Sequence, residues 1–231
     1  MSDHLALSLT THLRPENATA AIRLLEAYYA GPLGGTTLFE GGWWDDFDPS
    51  HTRESSQDVF TADDLLSASL LSAPIEASAV LQIVHDKASQ LSTALKALGE
   101  DRDLADLDAM EIETLESSSA IWRELRSVPH IGPTRASKLI ARKRPRLVPV
   151  YDEVVGNAVY GGTSVGQWTR LHTALTANDR HLAKHLVSLH QRASLPDYVS
   201  PLRVFDVLAW LDGSGRAELI LSGELGASGR A

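Results

Sequence analysis

The residues whose types and spacing could do chemistry lie between Val128 and Asp152, in Val-Pro-His-Ile-Gly-Pro-Thr-Arg-Ala-Ser-Lys-Leu-Ile-Ala-Arg-Lys-Arg-Pro-Arg-Leu-Val-Pro-Val-Tyr-Asp. No acid occurs between Glu124 and Asp152, whereas Arg126, Arg135, Lys138, Arg142, Lys143, Arg144 and Arg146 make seven bases. The whole chain has 21 bases and 30 acids, so outside this stretch 14 bases face 30 acids, a balance of −16. A +7 island in that background asks for an anionic partner. Arg135, Lys138 and Arg142 recur at i, i+3 and i+7 and share one face of a helix. Ahead of them, Pro129-His130-Ile131-Gly132 reads as a tight turn between two apolar-periodic segments. Such a turn offers backbone N–H groups and a helix N-terminus to a phosphate. Gly132 has no Cβ to hold the phosphate off, and Pro133 suits the first helical position. Contacts of this kind position a protein on DNA without reading its sequence. Asp152 has two readings: a helix N-cap, and a fixed, partly desolvated carboxylate with catalytic use.

With these residues in view, the stretch resembles the helix-hairpin-helix plus Gly/Pro-Asp motif of the DNA glycosylase superfamily. Val128-Pro129-His130-Ile131-Gly132 matches its hairpin, and Val148-Pro149-Val150-Tyr151-Asp152 matches the approach to its aspartate. The resemblance covers about thirty residues; the full chain is also similar to an uncharacterised bacterial family. The resemblance implies a monofunctional DNA N-glycosylase that flips a damaged or modified base and cuts its N-glycosidic bond. Asp152 would be catalytic, stabilising the oxocarbenium-like sugar and orienting a water. His130, Ile131, Gly132, Thr134, Arg135, Lys138 and Arg142 would touch the DNA backbone. Thr134 falls where bifunctional members carry a Schiff-base lysine, which excludes a lyase mechanism through that residue. His130 replaces the usual first Gly, where the backbone favours positive φ. Two other function classes stand beside this one: a non-catalytic DNA-binding module, and an acidic helical scaffold for protein interactions.

Other candidates carry weaker signals. Trp43 and Trp44 could stack on a base, or plug a core edge as loop tryptophans more often do. His181 and His185 have i, i+4 spacing, but no third ligand has diagnostic spacing, so no metal is expected. There is no cysteine, hence no disulfide and no iron–sulfur cluster. No other cofactor is expected. A net charge of −9 argues against general, charge-driven binding to nucleic acid or membrane. The N-terminus lacks the pattern of a signal peptide, no apolar run is long enough for a bilayer, and a cytoplasmic monomer is expected.

The elements that must position these residues read as helices. One is expected over 17–30, followed by a long loop over 31–59. Thr61 with Asp64 forms an acidic capping box before Leu65, Leu66, Leu70 and Leu71. From Pro74 to Leu98 one helix is expected, with Ile75, Ala79, Leu81, Ile83, Val84, Leu91, Leu95 and Leu98 inside and Gly99 as its stop. Short turns over 101–116, then helices over 117–126, 153–160, 166–176, 178–194 and from Pro201 complete the chain; the tail from Gly213 should fray. The fold class is all-α, two-lobed with a cleft between lobes. The expected division is 1–59, an N-terminal helix and loop packing with the C-terminal lobe; 60–148, a helical lobe holding the hairpin; and 149–231, the C-terminal lobe.

Overall fold

Helix is the form that every periodic segment takes. The computed structural model describes residues 7–227, and no strand occurs among them, so the fold is all-α. Residues 1–6, and the end of the tail at 228–231, lie outside the described residues.

Helix α1 (Ala18–Tyr28) buries Ala21, Leu24, Leu25 and Tyr28. The following stretch is irregular as expected, with short 3-10 turns at Glu40–Trp43 and Glu54–Ser56. Trp44 is buried there, so it is the plug; Trp43 is exposed and donates its indole N–H to Thr37 at 3.2 Å. Helix α2 (Ala62–Leu70) opens on the Thr61–Asp64 capping box, in which Asp64 Oδ2 accepts the Thr61 amide at 2.8 Å. Leu65 is buried, but Leu66, placed on the inner face by its spacing, is exposed.

The expected single helix from Pro74 is three pieces: α3 (Ala77–Leu81), a π-helical turn at Gln82–Asp86, and α4 (Ala88–Leu98). A π turn is wider than an α turn and shifts the phase of all that follows. Ile83, Leu91, Leu95 and Leu98 point inward, while Val84 within the π turn and Leu81 at the end of α3 before it are exposed, contrary to the uninterrupted pattern. Gly99, at φ +86°, ends α4 as expected.

Helix α5 (Ala109–Ser117) is capped by Asp108 and α6 (Ala120–Arg126) by Ser119. The turn Ser127–Gly132 leads to α7 (Pro133–Lys143), with Gly132 at its N-cap and Pro133 at its first position. Asp152 caps α8 (Glu153–Val159). Helix α9 (Gln167–Arg192) is two helical segments, broken at 177–180 where Asn178, Asp179 and Arg180 are all left-handed. Helix α10 (Pro201–Gly213) is capped by Ser200. The tail does not simply fray: α11 (Arg216–Ser222) and α12 (Glu224–Ala227) follow, and α11 buries Ala217.

The buried apolar residues of all these regions form one continuous core. Helix α10 is its hub, packing on α1, α8, α9 and α11, while α7 packs on α2 and α6. The site described next lies where α7, α8, α10 and α1 converge.

Candidate functional site

The basic stretch meets its counter-charges inside the protein. Lys138, Arg142, Lys143 and Arg144 are only 4, 2, 6 and 3 % exposed. Arg142 donates to the carbonyls of Trp44 and Phe47, and its Nε lies 3.4 Å from Asp64. Lys143 pairs with the other Asp64 oxygen and donates to Ser56 O at 2.9 Å. Arg144 holds Asp58 at 2.5 Å and Leu95 O at 3.1 Å. Arg146, on the surface, grips Asp103 through two bonds of 2.8 and 2.6 Å. Burial pushes the Arg142 pKa down to about 10 and lowers those of Lys138 and Lys143, against the pull of the carboxylates. Cations this deep would be intolerable unpaired. Asp58, Asp64 and Asp152 supply the opposing charge, and backbone carbonyls take the remaining donors.

Helical spacing puts Arg135, Lys138 and Arg142 on one DNA-facing side. The structure corrects this: Lys138 and Arg142 turn into the protein, and Arg142 also lies against the Trp44 ring, 5.8 Å from its centre. Arg135 donates to the carbonyls of Pro74 and His130 at 2.8 and 2.9 Å, and Arg126 to that of Ile131 at 3.1 Å. Neither is paired with a carboxylate among the described residues. His130 is exposed, at φ +66°, a backbone conformation that glycine adopts more readily than histidine. Its ring lies 3.7 Å from Glu76. Ile131 is buried and anchors the turn. Gly132 is extended, at φ −80° and ψ 179°, and a Cβ there would meet nothing nearer than Arg126 at 3.7 Å. Helix α7 has no side-chain cap, which leaves its leading amides open.

Thr134, Lys138 and Asp152 do come together, on the wall of a cavity of about 420 Å³. Asp152 divides its carboxylate: Oδ1 accepts the Val155 amide at 2.9 Å, and Oδ2 faces Lys138 Nζ at 3.4 Å. Lys138 is held in turn by Leu71 O at 2.7 Å. Asp152 is therefore a cap through one oxygen, and its other oxygen is paired with Lys138. The aromatic side of the cavity is Tyr28, Phe39 and Trp210. Tyr28 stacks on Phe39 with ring centres 5.4 Å apart, and Trp210 meets both edge-on at 6.3 and 5.9 Å. Gly41 lets the Tyr28 hydroxyl sit against the backbone, where a Cβ would collide with it.

Below these groups lies an ionic cluster that no sequence motif marks. Arg203 donates to both oxygens of Asp45, at 3.0 and 3.3 Å, and lies over Trp44 at 4.7 Å. Tyr29 donates to Asp45 at 3.0 Å. Asp206 Oδ2 accepts the Val150 amide at 2.9 Å. Burial pushes the Asp206 carboxyl up to about 7, although Arg203 and the Val150 bond oppose it. The folded protein therefore keeps a proton that the unfolded chain releases above about pH 4. Stability should fall as pH rises toward 7, by on the order of 4 kcal/mol from this group. Asp206→Asn should flatten the decline measured by urea unfolding between pH 5 and 8; an equal decline in both proteins would exclude Asp206 as its source. In the sequence, Arg203 and Asp206 are legible only as an i, i+3 charge pair within an apolar helix.

Among the described residues no group of His, Cys, Asp and Glu could hold a metal ion, and no helix is long and apolar enough to cross a membrane. No curated protein and no solved structure matches the chain. A family model, described as a family of unknown function (DUF6308), matches residues 21–213. With most of its length covered, from α1 to the end of α10, the chain belongs to the DUF6308 family.

Proposed function

We propose that this protein is a monofunctional DNA N-glycosylase, with Asp152 as the catalytic carboxylate. One observation carries the reading: Thr134, Lys138 and Asp152, singled out by the motif, share a cavity with the Tyr28, Phe39 and Trp210 rings. Aromatic faces suit a flipped, unstacked base, and a carboxylate beside its sugar suits a developing oxocarbenium ion. The second oxygen of Asp152 is not needed for the cap, and to act it would exchange its pairing with Lys138 for the charge developing on the sugar. Thr134 offers a hydroxyl and no amine, so it forms no Schiff base.

DNA would lie across the head of α7, with the open amides after Gly132 and the side chains of Arg126 and Arg135 near phosphates. Replacing Arg126 and Arg135 together by Gln should reduce the slope of log affinity against log salt by about 0.9 for each phosphate no longer neutralised. An unchanged slope in salt-dependent binding to a duplex would place the DNA elsewhere. Lys138 and Arg142 are excluded from that test because replacing them would disturb packing.

The deciding experiment is a base-release screen on duplexes carrying varied lesions, with Asp152→Asn as the control. Release of one base by the wild type and not by the variant supports the reading; no release from any duplex counts against it. A non-catalytic DNA-binding module is the second reading. It is favoured by the Lys138 ammonium, which offsets the Asp152 charge at 3.4 Å. Duplex binding without base release would select it.

A further inference from the structure

Three cations line the cavity that holds Asp152, and they differ in what they can meet. Lys138 and Arg203 are buried and engaged, Lys138 with Asp152 and the Leu71 carbonyl, Arg203 with Asp45. Arg216 is exposed and makes no hydrogen bond or ion pair with a described residue. Its guanidinium lies over the Trp210 ring, 4.9 Å from the centre. The chain reverses to put it there. Helix α10 ends at Gly213, Gly215 takes the left-handed conformation at φ +71°, and α11 packs back on α10 and α1.

The aromatic side of the cavity thus runs outward, from buried Tyr28 through half-buried Trp210 to exposed Arg216. The other exposed charges on the lining are the carboxylates of Glu40 and Glu153. A ligand with a planar ring and an anionic group has one favourable orientation here. Its ring lies among the aromatic side chains and its anion meets Arg216, away from the two like charges. A guanidinium presents a planar fork of donors that matches phosphate oxygens two at a time. Resting on the Trp210 ring restrains the side chain beforehand, so less freedom is lost on binding.

We propose that Arg216 takes a phosphate of the nucleotide whose base enters this cavity. The cavity then prefers a phosphorylated nucleotide to a free base or nucleoside. Arg216 becomes a phosphate contact separate from those of Arg126 and Arg135, neither of which lines the cavity. This deepens the glycosylase reading and rests on it for DNA as the source of the phosphate. A phosphodiester in a duplex and the phosphate of a free nucleotide offer Arg216 the same chemistry, so the test separates them.

The test compares the full chain with Arg216→Gln and Arg216→Lys on two duplexes of one sequence across a salt series. One duplex carries a tetrahydrofuran abasic analogue and the other is unmodified. A damaged nucleotide leaves the stack at low cost, so the abasic analogue can enter the cavity whatever base the protein prefers. On the abasic duplex Arg216→Gln should reduce the slope of log affinity against log salt by about 0.9, the loss of one phosphate contact, and Arg216→Lys should restore it. On the unmodified duplex the three slopes should agree, because no nucleotide enters the cavity. Both substitutions fall on an exposed side chain, so the fold should survive them. Titration with 2′-deoxyuridine 5′-monophosphate is the second arm. If Arg216→Gln weakens that binding about tenfold or more but leaves the abasic duplex untouched, the phosphate site stands, its source is a free nucleotide, and the glycosylase reading fails. No dependence on Arg216 with either probe would overturn the proposal. An equal fall in slope on both duplexes would also overturn it, since the contact would then lie outside the cavity. Dependence on Arg216 with the abasic duplex, but no base release from any lesion, would refute catalysis and leave this proposal standing.

Discussion

Asp152→Asn should lower base release by about 10²–10³-fold or more while the protein stays folded and still binds DNA. The size follows from removing a preorganised charge from the place where positive charge develops. The fold should survive because the two oxygens of Asp152 have separate duties. Oδ1 accepts the Val155 amide, and Asn caps a helix about as well as Asp. The substitution does cost Lys138 its carboxylate. Lys138 keeps the Leu71 carbonyl, and burial already lowers its pKa, so it can shed the proton that would otherwise be stranded. Circular dichroism and duplex binding, measured beside base release, separate the possibilities. Near-wild-type turnover would make Asp152 a cap and nothing more. Loss of helix content would make it mainly structural.

The largest stability effect should come from Asp64, a residue with no proposed part in the chemistry. It closes the capping box with Thr61, faces Arg142 Nε at 3.4 Å and pairs with Lys143. Both cations are buried, so Asp64→Ala strands two charges and removes a cap. The expected loss is about 3–5 kcal/mol from breaking a buried pair, with about 1 kcal/mol more from the cap. Asp103→Ala is the comparison, since the Asp103–Arg146 pair is well formed but exposed. Removing that pair should cost about 1 kcal/mol or less. Urea unfolding of the two variants would refute this ranking if Asp64→Ala proved no more costly than Asp103→Ala.

What could be read from the sequence was what the chain decides locally. Thr61 and Asp64 form their capping box, Asp152 caps α8 and Gly99 stops α4, because each depends on residues within one helical turn. Periodicity misplaces Val84 because it carries no warning of the π turn at Gln82–Asp86; the exposure of Leu81, on α3 before that turn, has no such account. The fate of the basic stretch was hidden by distance. Asp58 and Asp64, which receive Arg144, Arg142 and Lys143, precede them by about eighty residues. A net charge counted along the chain cannot show that pairing. The candidate site was half legible: the motif pointed to Thr134 and Asp152, but its aromatic side draws on Tyr28, Phe39 and Trp210, from opposite ends of the chain. Arg203 and Asp206 were concealed among the apolar residues of α10, where the sequence shows only core.

The internal neutralisation of the basic stretch bears on how fast this protein could find a polyanion. Steered association needs an outward field that extends over a Debye length, and charges locked onto Asp58, Asp64 and Asp152 project little of one. The overall charge of −9 adds repulsion at long range. Encounter with a duplex should then run nearer the unsteered rate of about 10⁵–10⁶ M⁻¹s⁻¹ than the steered 10⁸–10⁹. A protein built this way would depend on slow departure, rather than rapid arrival, to remain on its target.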